Sequence, residues 1–123
     1  VSPLFDELQR LGIETRVVTA SHHYIARGAC AQLGLKSHQV FGMEPVLDRS
    51  GRCLPKLKRA PYGLGKQKCI EDEIGFPALA AFGDSVSTGD SAMLESAIVP
   101  VAVFPSGQHR VHALAQEKYF ILE

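Results

Sequence analysis

The sequence is short of the features that mark several classes of protein. Its three cysteines, Cys30, Cys53 and Cys69, form no Cys-x-x-Cys pair, which argues against a zinc site or a disulfide framework and favours a reducing compartment. No apolar run approaches the ~20 residues that span a bilayer, and the first residues lack the pattern of a signal peptide. Lysine plus arginine equals aspartate plus glutamate, at 13 each, so net charge gives no case for nucleic acid or a membrane surface as a partner. We therefore expect a cytoplasmic protein.

What is present is enough apolar sequence for a globular domain. Of the 123 residues, 46% are hydrophobic, and a chain of this length is typical of a single domain. We expect one domain over residues 1–123, built by alternation of helices and strands. Helical spacing and capping signals predict helices at 2–11, 22–33, 66–74, 90–97 and 109–117, and runs of apolar and β-branched residues predict strands at 13–19, 40–47, 52–54, 78–82, 99–104 and 119–122.

This alternation predicts an α/β fold. Strands that are apolar throughout and separated by helices are typical of a parallel sheet covered on both faces, and right-handed crossovers place the carboxyl ends of such strands along one edge. The two strands at 40–47 and 52–54 flank the turn Asp48-Arg49-Ser50-Gly51 and predict a small β-hairpin within the fold.

The most informative segment is the end of the apolar run at 77–82. It stops at Gly83-Asp84, and a second carboxylate, Asp90, stands where the next helix begins. A carboxylate at the carboxyl end of a buried strand supplies the oxygen ligand that Mg²⁺ prefers. The alternative for Asp90 is a plain capping residue of the following helix.

Two further positions lie at the same predicted edge. Thr19-Ala20-Ser21 follows a strand and precedes a helix, so a hydroxyl and backbone N–H groups could hold phosphate there; the alternative is an ordinary capping turn. Lys66 follows Gly65 at the start of a helix, where the helix dipole disfavours a cation. It either neutralises phosphate or carboxylate charge or is an exposed lysine.

These segments, in this order, resemble motifs of the haloacid dehalogenase-like hydrolase superfamily, and within it the phosphoserine-phosphatase-like branch. Residues 17–21 (VVTAS) resemble the second motif, Gly65-Lys66 the third, and residues 83–94 (GDSVSTGDSAML) the fourth. Residues 40–54 resemble the stretch between the second and third motifs, and residues 100–105 the strand after the fourth. The likeness covers nearly the whole chain. It implies a three-layer α/β/α Rossmann-like parallel sheet with a small hairpin insert.

The resemblance also implies roles for individual residues. Thr19, with Ala20 and Ser21, would bind the phosphoryl group of a small phosphorylated substrate, Lys66 would stabilise the negative charge on the nucleophile and the phosphoryl oxygens, and Asp84 and Asp90 would hold Mg²⁺ as cofactor. The spacing between the two acids is about two residues longer than in the family's pattern. Whether Asp90, Ser85 or Ser87 completes the metal site is therefore open.

One part of the family's pattern is missing. Catalysis in the family starts from an Asp nucleophile in an Asp-x-Asp-x-Thr motif on an earlier, central strand, and no such motif occurs in these 123 residues. The chain also begins at Val1, without an initiator methionine and directly at a predicted helix. We therefore expect the C-terminal portion of a longer phosphatase, incomplete at its N-terminus and inactive by itself.

Three functional hypotheses follow. The first is a Mg²⁺-dependent phosphatase that acts on small phosphomonoesters through an aspartyl-phosphate in the intact protein. The second is a non-catalytic module that binds phosphate or a partner chain, with a homodimer formed by strand exchange as one form. The third is an unrelated small α/β binding module whose motif matches arise by chance. The sequence does not identify the substrate.

Overall fold

The computed structural model describes residues 2–123, with the exception of the side chain of Ser2. The chain is organised as two compact units, the first ending at Pro61 and the second covering Tyr62–Glu123. Each unit contains one three-stranded sheet. Within residues 2–123, no helix combines the length and the apolar character needed to cross a bilayer.

The first unit combines a parallel strand pair with a hairpin. Strands β1 and β2 are parallel, and β2 and β3 are antiparallel, in the sheet order β1-β2-β3. In chain order its elements are α1 (Ser2–Arg10), β1 (Val17–His22), α2 (His23–Ala31), a short 3₁₀ helix (Ser37–Gln39), β2 (Val40–Leu47) and β3 (Cys53–Arg59).

The second unit is a parallel βαβαβ arrangement preceded by a helix. Its three strands are parallel to one another, in the order β4-β5-β6. In chain order its elements are α3 (Leu64–Cys69), which continues as a π-helix (Ile70–Ile74), then β4 (Ala80–Gly83), α4 (Ser91–Ser96), β5 (Val99–Val103), α5 (Gly107–Ala115) and β6 (Phe120–Leu122).

This architecture confirms the predicted Rossmann-like α/β fold with a β-hairpin insert. The hairpin turn forms where it was predicted, because Asp48 Oδ1 accepts hydrogen bonds from the backbone N–H groups of Ser50 and Arg52 at 2.8 and 2.9 Å. The strands are divided between two sheets, since within the described residues β1 pairs only with β2 and β4 only with β5.

Two strands, β1 and β3, depart from the sequence prediction by more than two residues. Residues 13–16 are not strand, because Gly12 adopts φ 70° and the N–H of Ile13 still bonds the carbonyl of Leu8, so the chain is still closing α1 there. Residues 55–59 are not loop, because β3 continues to Arg59. Pro55 is tolerated there since β3 is an edge strand, where a missing N–H costs no ladder bond.

The parallel pair of the first unit contains an irregular segment. Val18 faces Phe41 and His22 faces Met43, so residues 19–21 of β1 stand opposite Gly42 alone. The predicted turn Thr19-Ala20-Ser21 is therefore part of strand β1, as a bulge, and does not follow it. A bulge of this kind bends the strand and re-aims its side chains.

Gly42 is required by the close approach of two backbones at this bulge. A Cβ atom on Gly42 would lie 2.6 Å from the Cα of His23 and 2.8 Å from the carbonyl oxygen of Ser21. The side chain of His23 is buried at 2% exposure, and its Nδ1 accepts a hydrogen bond from the N–H of Gly42 at 3.2 Å. Burial, followed by the nearby Arg27 charge, lowers the pKa of His23, which suits a neutral ring that accepts this bond.

Each unit has its own apolar centre. In the first, Ala26, Cys30, Leu35 and Val40 form a buried cluster against which Phe5 and Val17 pack. In the second, the most deeply buried side chains belong to the loop after β4, to α4 and to β5: Val86, Leu94 and Ala102, each at 0% exposure.

The Gly42 contact makes a stability prediction. Gly42→Ala should destabilise the protein by about 1–3 kcal/mol, because the added methyl group meets backbone atoms that cannot rotate away. The measurement is urea unfolding followed by circular dichroism. Gly28→Ala is the matched control. Gly28 lies in α2, and a methyl group added there would have nothing within 4 Å, so the free energy of unfolding of this variant should rise by roughly 0.5–1 kcal/mol. Equal stability of Gly42→Ala and the parent chain would contradict the contact.

Candidate functional site

The second unit brings two carboxylates and a lysine together at the end of β4. Asp84 directly follows β4 and is exposed, whereas Asp90, six residues later, is buried at 5% exposure. Residues 84–90, called the 84–90 loop below, connect β4 to α4. Because β4 and β5 are parallel, this loop lies at the carboxyl edge of the sheet, where ligands bind in open α/β folds.

Asp90 is the most heavily bonded member of the group. Its Oδ1 forms an ion pair with the Lys66 ammonium. Its Oδ2 accepts hydrogen bonds from the backbone N–H of Asp84 at 3.2 Å and of Ser85 at 3.0 Å. Both carboxylate oxygens are thus paired, which a buried charge requires.

These contacts decide between the two interpretations of Asp90. As the residue preceding α4, Asp90 makes no side-chain capping hydrogen bond to that helix. Its carboxylate turns back to the amides that follow β4 instead. The 84–90 loop is therefore closed on its own last residue, and the capping interpretation is wrong.

A glycine makes this closure possible. A Cβ atom on Gly83 would lie 2.8 Å from the Cβ of Asp90 and 2.8 Å from its Oδ2. Real Cβ atoms do not approach other atoms so closely, so any larger residue at position 83 would displace the Asp90 carboxylate. The glycine before Asp84 thus has a steric role in placing Asp90.

The environment of Asp90 favours its charged form. Burial raises the pKa of its carboxyl group. The bond from Lys66 and the amide hydrogen bonds together lower the pKa by more than burial raises it, so the net pKa lies below the ordinary value of 3.8. A carboxylate held by a cation and by backbone donors behaves in this way. Asp90 is consequently ionised throughout the neutral range.

Lys66 is not the exposed lysine of the alternative interpretation. Its side chain is 13% exposed, and it stands in the first turn of α3, which begins after Gly63. Gly63 has φ 53°, a conformation that glycine adopts without strain. This turn directs the chain into α3 so that Lys66 meets Asp90.

The remaining predicted residues belong to the first unit. Thr19 is half-buried in the bulge of β1, and Ala20 and Ser21 are exposed. The Oγ1 of Thr19 accepts a hydrogen bond from the N–H of Ser21 at 3.1 Å. Since a hydroxyl has one proton to donate as well as lone pairs, this bond leaves the Thr19 proton available to an acceptor.

The side chains of the second unit fit a magnesium ion that takes one or two protein carboxylates and keeps several waters. Among residues 2–123, no three His, Cys, Asp or Glu side chains converge as a ready-made ligand group. Mg²⁺, however, usually keeps several waters and takes only one or two carboxylates together with substrate phosphate. Asp84 meets that need, because it is exposed and its Oδ1 accepts a single 3.2 Å bond from the Ser85 hydroxyl. Asp90 would have to share oxygens that Lys66 and the amides already use.

Two surface clefts of this unit lie elsewhere. One is lined by residues of α3 and the π-helix with Phe76, Pro77 and Ser96, and a second by Leu64, Gln67 and the outer face of α4. Neither is lined by Lys66, Asp84 or Asp90. Both are shallow and have no ionised pair in their lining, so the chemistry points to the strand end and not to these clefts.

The sequence did not show how several residues act. Gly83 was noted only as the end of an apolar run, whereas its missing side chain leaves room for the Asp90 carboxylate. In the first unit, Gly42 likewise leaves room for the backbone of His23. Ser87 contacts His109 of α5, 22 positions away. The sequence signal for His109 was its place near the start of a predicted helix, three residues before His112.

Comparisons with known proteins place the fold. No protein-family model matches the chain, and no curated protein sequence does. The chain is similar to the structure of a conserved protein of unknown function from Anaerococcus prevotii, with a TM-score of 0.77 and 24% identity over 97% of this chain and 36% of that one. It is similar to a protein of unknown function from Bordetella pertussis, with a TM-score of 0.83 and 20% identity over 99% and 56% of the two chains.

A third similar structure has a descriptive name. It is a phosphoserine phosphohydrolase-like protein from Francisella tularensis, with a TM-score of 0.71 and 14% identity over 96% of this chain and 56% of that one. At these identities the likeness shows a shared fold alone. The chain spans between about a third and just over half of the length of the three structures.

The Lys66–Asp90 pair makes a prediction that a double-mutant cycle can test. Lys66→Met and Asp90→Asn should each destabilise the protein by about 3–5 kcal/mol, because each leaves a buried charged or polar partner uncompensated. The double variant should lose much less than the sum of the two. The measurement is urea unfolding at pH 7, where the pair is ionised.

The exposed pair Lys68–Asp72 is the matched control for that cycle. Its Nζ–Oδ2 distance is 2.9 Å and its side chains are 76% and 58% exposed, so Lys68→Met and Asp72→Asn should show no measurable coupling. Additive effects of Lys66→Met and Asp90→Asn would contradict the buried pair.

Proposed function

We propose that this chain is part of a haloacid dehalogenase-like hydrolase of the phosphoserine-phosphatase-like branch. The whole protein would be a cytoplasmic Mg²⁺-dependent phosphatase that acts on small phosphomonoesters. The observation that carries the proposal is the exposed Asp84 at the carboxyl end of β4, beside the buried Lys66–Asp90 pair. The phosphohydrolase-like name of one structure with the same fold supports it.

In this proposal the second unit carries the groups that would bind Mg²⁺ and stabilise negative charge. Asp84 holds Mg²⁺. Asp90 contributes to the same metal site either as a second ligand or by fixing the 84–90 loop. Asp90 also orients the ammonium of Lys66. An ammonium has three N–H donors, and the bond to Asp90 uses one, so Lys66 can stabilise negative charge on a phosphoryl group and on an attacking carboxylate.

Within the first unit, we propose that residues 19–21 bind a phosphoryl group. The hydroxyl of Thr19 donates to a phosphoryl oxygen while it accepts the N–H of Ser21. Ala20 and Ser21 are exposed residues of the bulge and would add contacts to the same phosphoryl group. The register of β1 with β2 is irregular between Val18 and His22, and a residue that a bulge leaves without a ladder partner can bind a ligand.

Bound Mg²⁺ would neutralise charge on the phosphoryl oxygens and help to orient them. The chain's own contribution is to hold Asp84 in place and to keep Asp90 ionised. The amides of Asp84 and Ser85 do this by bonding the Asp90 carboxylate, and Gly83 does so by leaving room for it.

The nucleophile of the proposed reaction is not among these 123 residues. By the family resemblance, an Asp carboxylate attacks phosphorus to form an aspartyl-phosphate, the alcohol leaves, and water then releases phosphate. No Asp-x-Asp-x-Thr motif is present in this chain. The attacking carboxylate would come from another segment or another chain, and we expect the 123-residue chain to bind metal and phosphate without turnover.

A second candidate function has one observation in its favour. Within the described residues, β1 pairs only with β2 and β4 only with β5, so each sheet has an edge strand that can accept a further strand. A non-catalytic module that binds a partner chain, including a second copy through strand exchange, would use these edges. Dimerisation that rises with concentration, measured by analytical ultracentrifugation, would favour this candidate.

The magnesium assignment predicts the effect of Asp84→Asn. The parent chain should bind Mg²⁺ in isothermal titration calorimetry, and Asp84→Asn should weaken that binding by at least about tenfold, because it removes an ionised ligand. Asp72→Asn, which removes an exposed acid on the π-helix, is the control and should leave the affinity unchanged. Equal Mg²⁺ affinity of Asp84→Asn and the parent chain would show that Asp84 is not the ligand.

Hydrolysis of an aryl phosphate by the same samples tests where the nucleophile of the proposed reaction lies. No turnover by the folded parent chain agrees with a nucleophile outside these residues. The opposite result is that the parent chain hydrolyses the aryl phosphate and that Asp84→Asn abolishes this activity. A carboxylate of this chain, or of a strand-exchanged copy, would then make the attack. The assignment of the nucleophile to another segment would be wrong.

A further inference from the structure

The middle residue of the 84–90 loop, Ser87, is hydrogen-bonded to helix α5. The Oγ of Ser87 lies 2.8 Å from Nδ1 of His109, and the backbone N–H of Ser87 donates to the same Nδ1 at 3.3 Å. Both residues are partly buried and belong to the second unit. Neither of them takes part in the proposed chemistry.

The amide contact determines what His109 does in this pair. A backbone N–H can only donate, so Nδ1 must carry a lone pair and the ring must be neutral, with its proton on Nε2. The Ser87 hydroxyl then shares the same lone pair. Because Nδ1 of His109 accepts the backbone N–H of Ser87 as well as its hydroxyl, the contact holds the backbone of the loop in place. A histidine that only activated the serine as a nucleophile would need the hydroxyl contact alone.

This contact completes a set of three anchors along the loop. The last residue, Asp90, bonds the amides of the first two, Asp84 and Ser85. Val86 is fully buried. Between them Ser87 is held from outside the loop by His109, so the exposed Asp84 stands at the start of a segment that is constrained at its middle and at its end.

We propose that His109 is a positioning residue that holds the 84–90 loop closed on Asp90 and thereby strengthens the magnesium site at Asp84. The magnesium part of this inference rests on the proposed function, whereas the closure of the loop does not. His109 acts through Ser87 and touches neither metal nor substrate. The effect of losing it should be local, because α5 keeps the buried Ala113, which is 1% exposed.

The test compares three variants of the full chain. His109→Leu removes the acceptor, His109→Asn keeps an acceptor oxygen near the place of Nδ1, and His112→Leu removes the other histidine of α5 as the control. Two quantities are measured: the hydrogen-exchange rates of the backbone amides in the 84–90 loop by NMR without metal, and the affinity for Mg²⁺ by calorimetry.

We expect His109→Leu to speed exchange of the loop amides, including those of Asp84 and Ser85, by roughly tenfold, the equivalent of one hydrogen bond. Mg²⁺ affinity should fall by about three- to tenfold for the same reason. His109→Asn should restore most of both effects, and His112→Leu should leave both unchanged. Ser87→Ala should act in the same direction and provides the result if His109→Leu does not fold.

Unchanged loop exchange in both His109→Leu and Ser87→Ala would overturn the proposal. So would faster exchange with unaltered Mg²⁺ affinity in a parent chain that binds the ion, because the loop would then be held without any effect on the site. If the parent chain binds no Mg²⁺, the proposed function fails, and the exchange rates still decide whether His109 holds the loop.

Discussion

The buried ion pair between Lys66 and Asp90 is the interaction on which the candidate site depends. Without the ammonium, only the two amide hydrogen bonds would oppose the effect of burial, which raises the pKa of Asp90, and a protonated carboxyl accepts those amides less strongly. Without the carboxylate, Lys66 would be a buried cation with no reason to face the end of β4. One pair therefore fixes both the loop and the direction of the lysine.

The pair also explains the uneven exposure of the two aspartates. Asp90 is buried and has donors on both oxygens, whereas Asp84 is exposed and weakly bonded. Structural and ligand-binding demands on a carboxylate conflict, since a group saturated by protein donors has little left for a metal. Two acids with separate duties resolve that conflict. The five residues between them give the chain enough length to return Asp90 to the amides after β4.

The sequence allowed the order of elements, the hairpin and the residues Lys66, Asp84 and Asp90 to be selected, because strand ends, glycines and lone charges are local signals. It did not show that Asp90 turns back to Asp84, since a carboxylate before a helix is equally compatible with a cap. The displacement of β1 by several residues was also hidden. It follows from pairing with β2 and from the absence of a side chain at Gly42, which are contacts between segments distant in sequence.

The most direct test of the Lys66–Asp90 pair is the pKa of Asp90, measured from its carboxyl carbon by NMR titration in the parent chain and in Lys66→Met. A carboxyl held by a cation and two amides should titrate below 3.8 in the parent chain. The pKa should rise in Lys66→Met, because burial then acts with less opposition. A parent value at or above 3.8, or one that Lys66→Met leaves unchanged, would contradict the central role given to this pair.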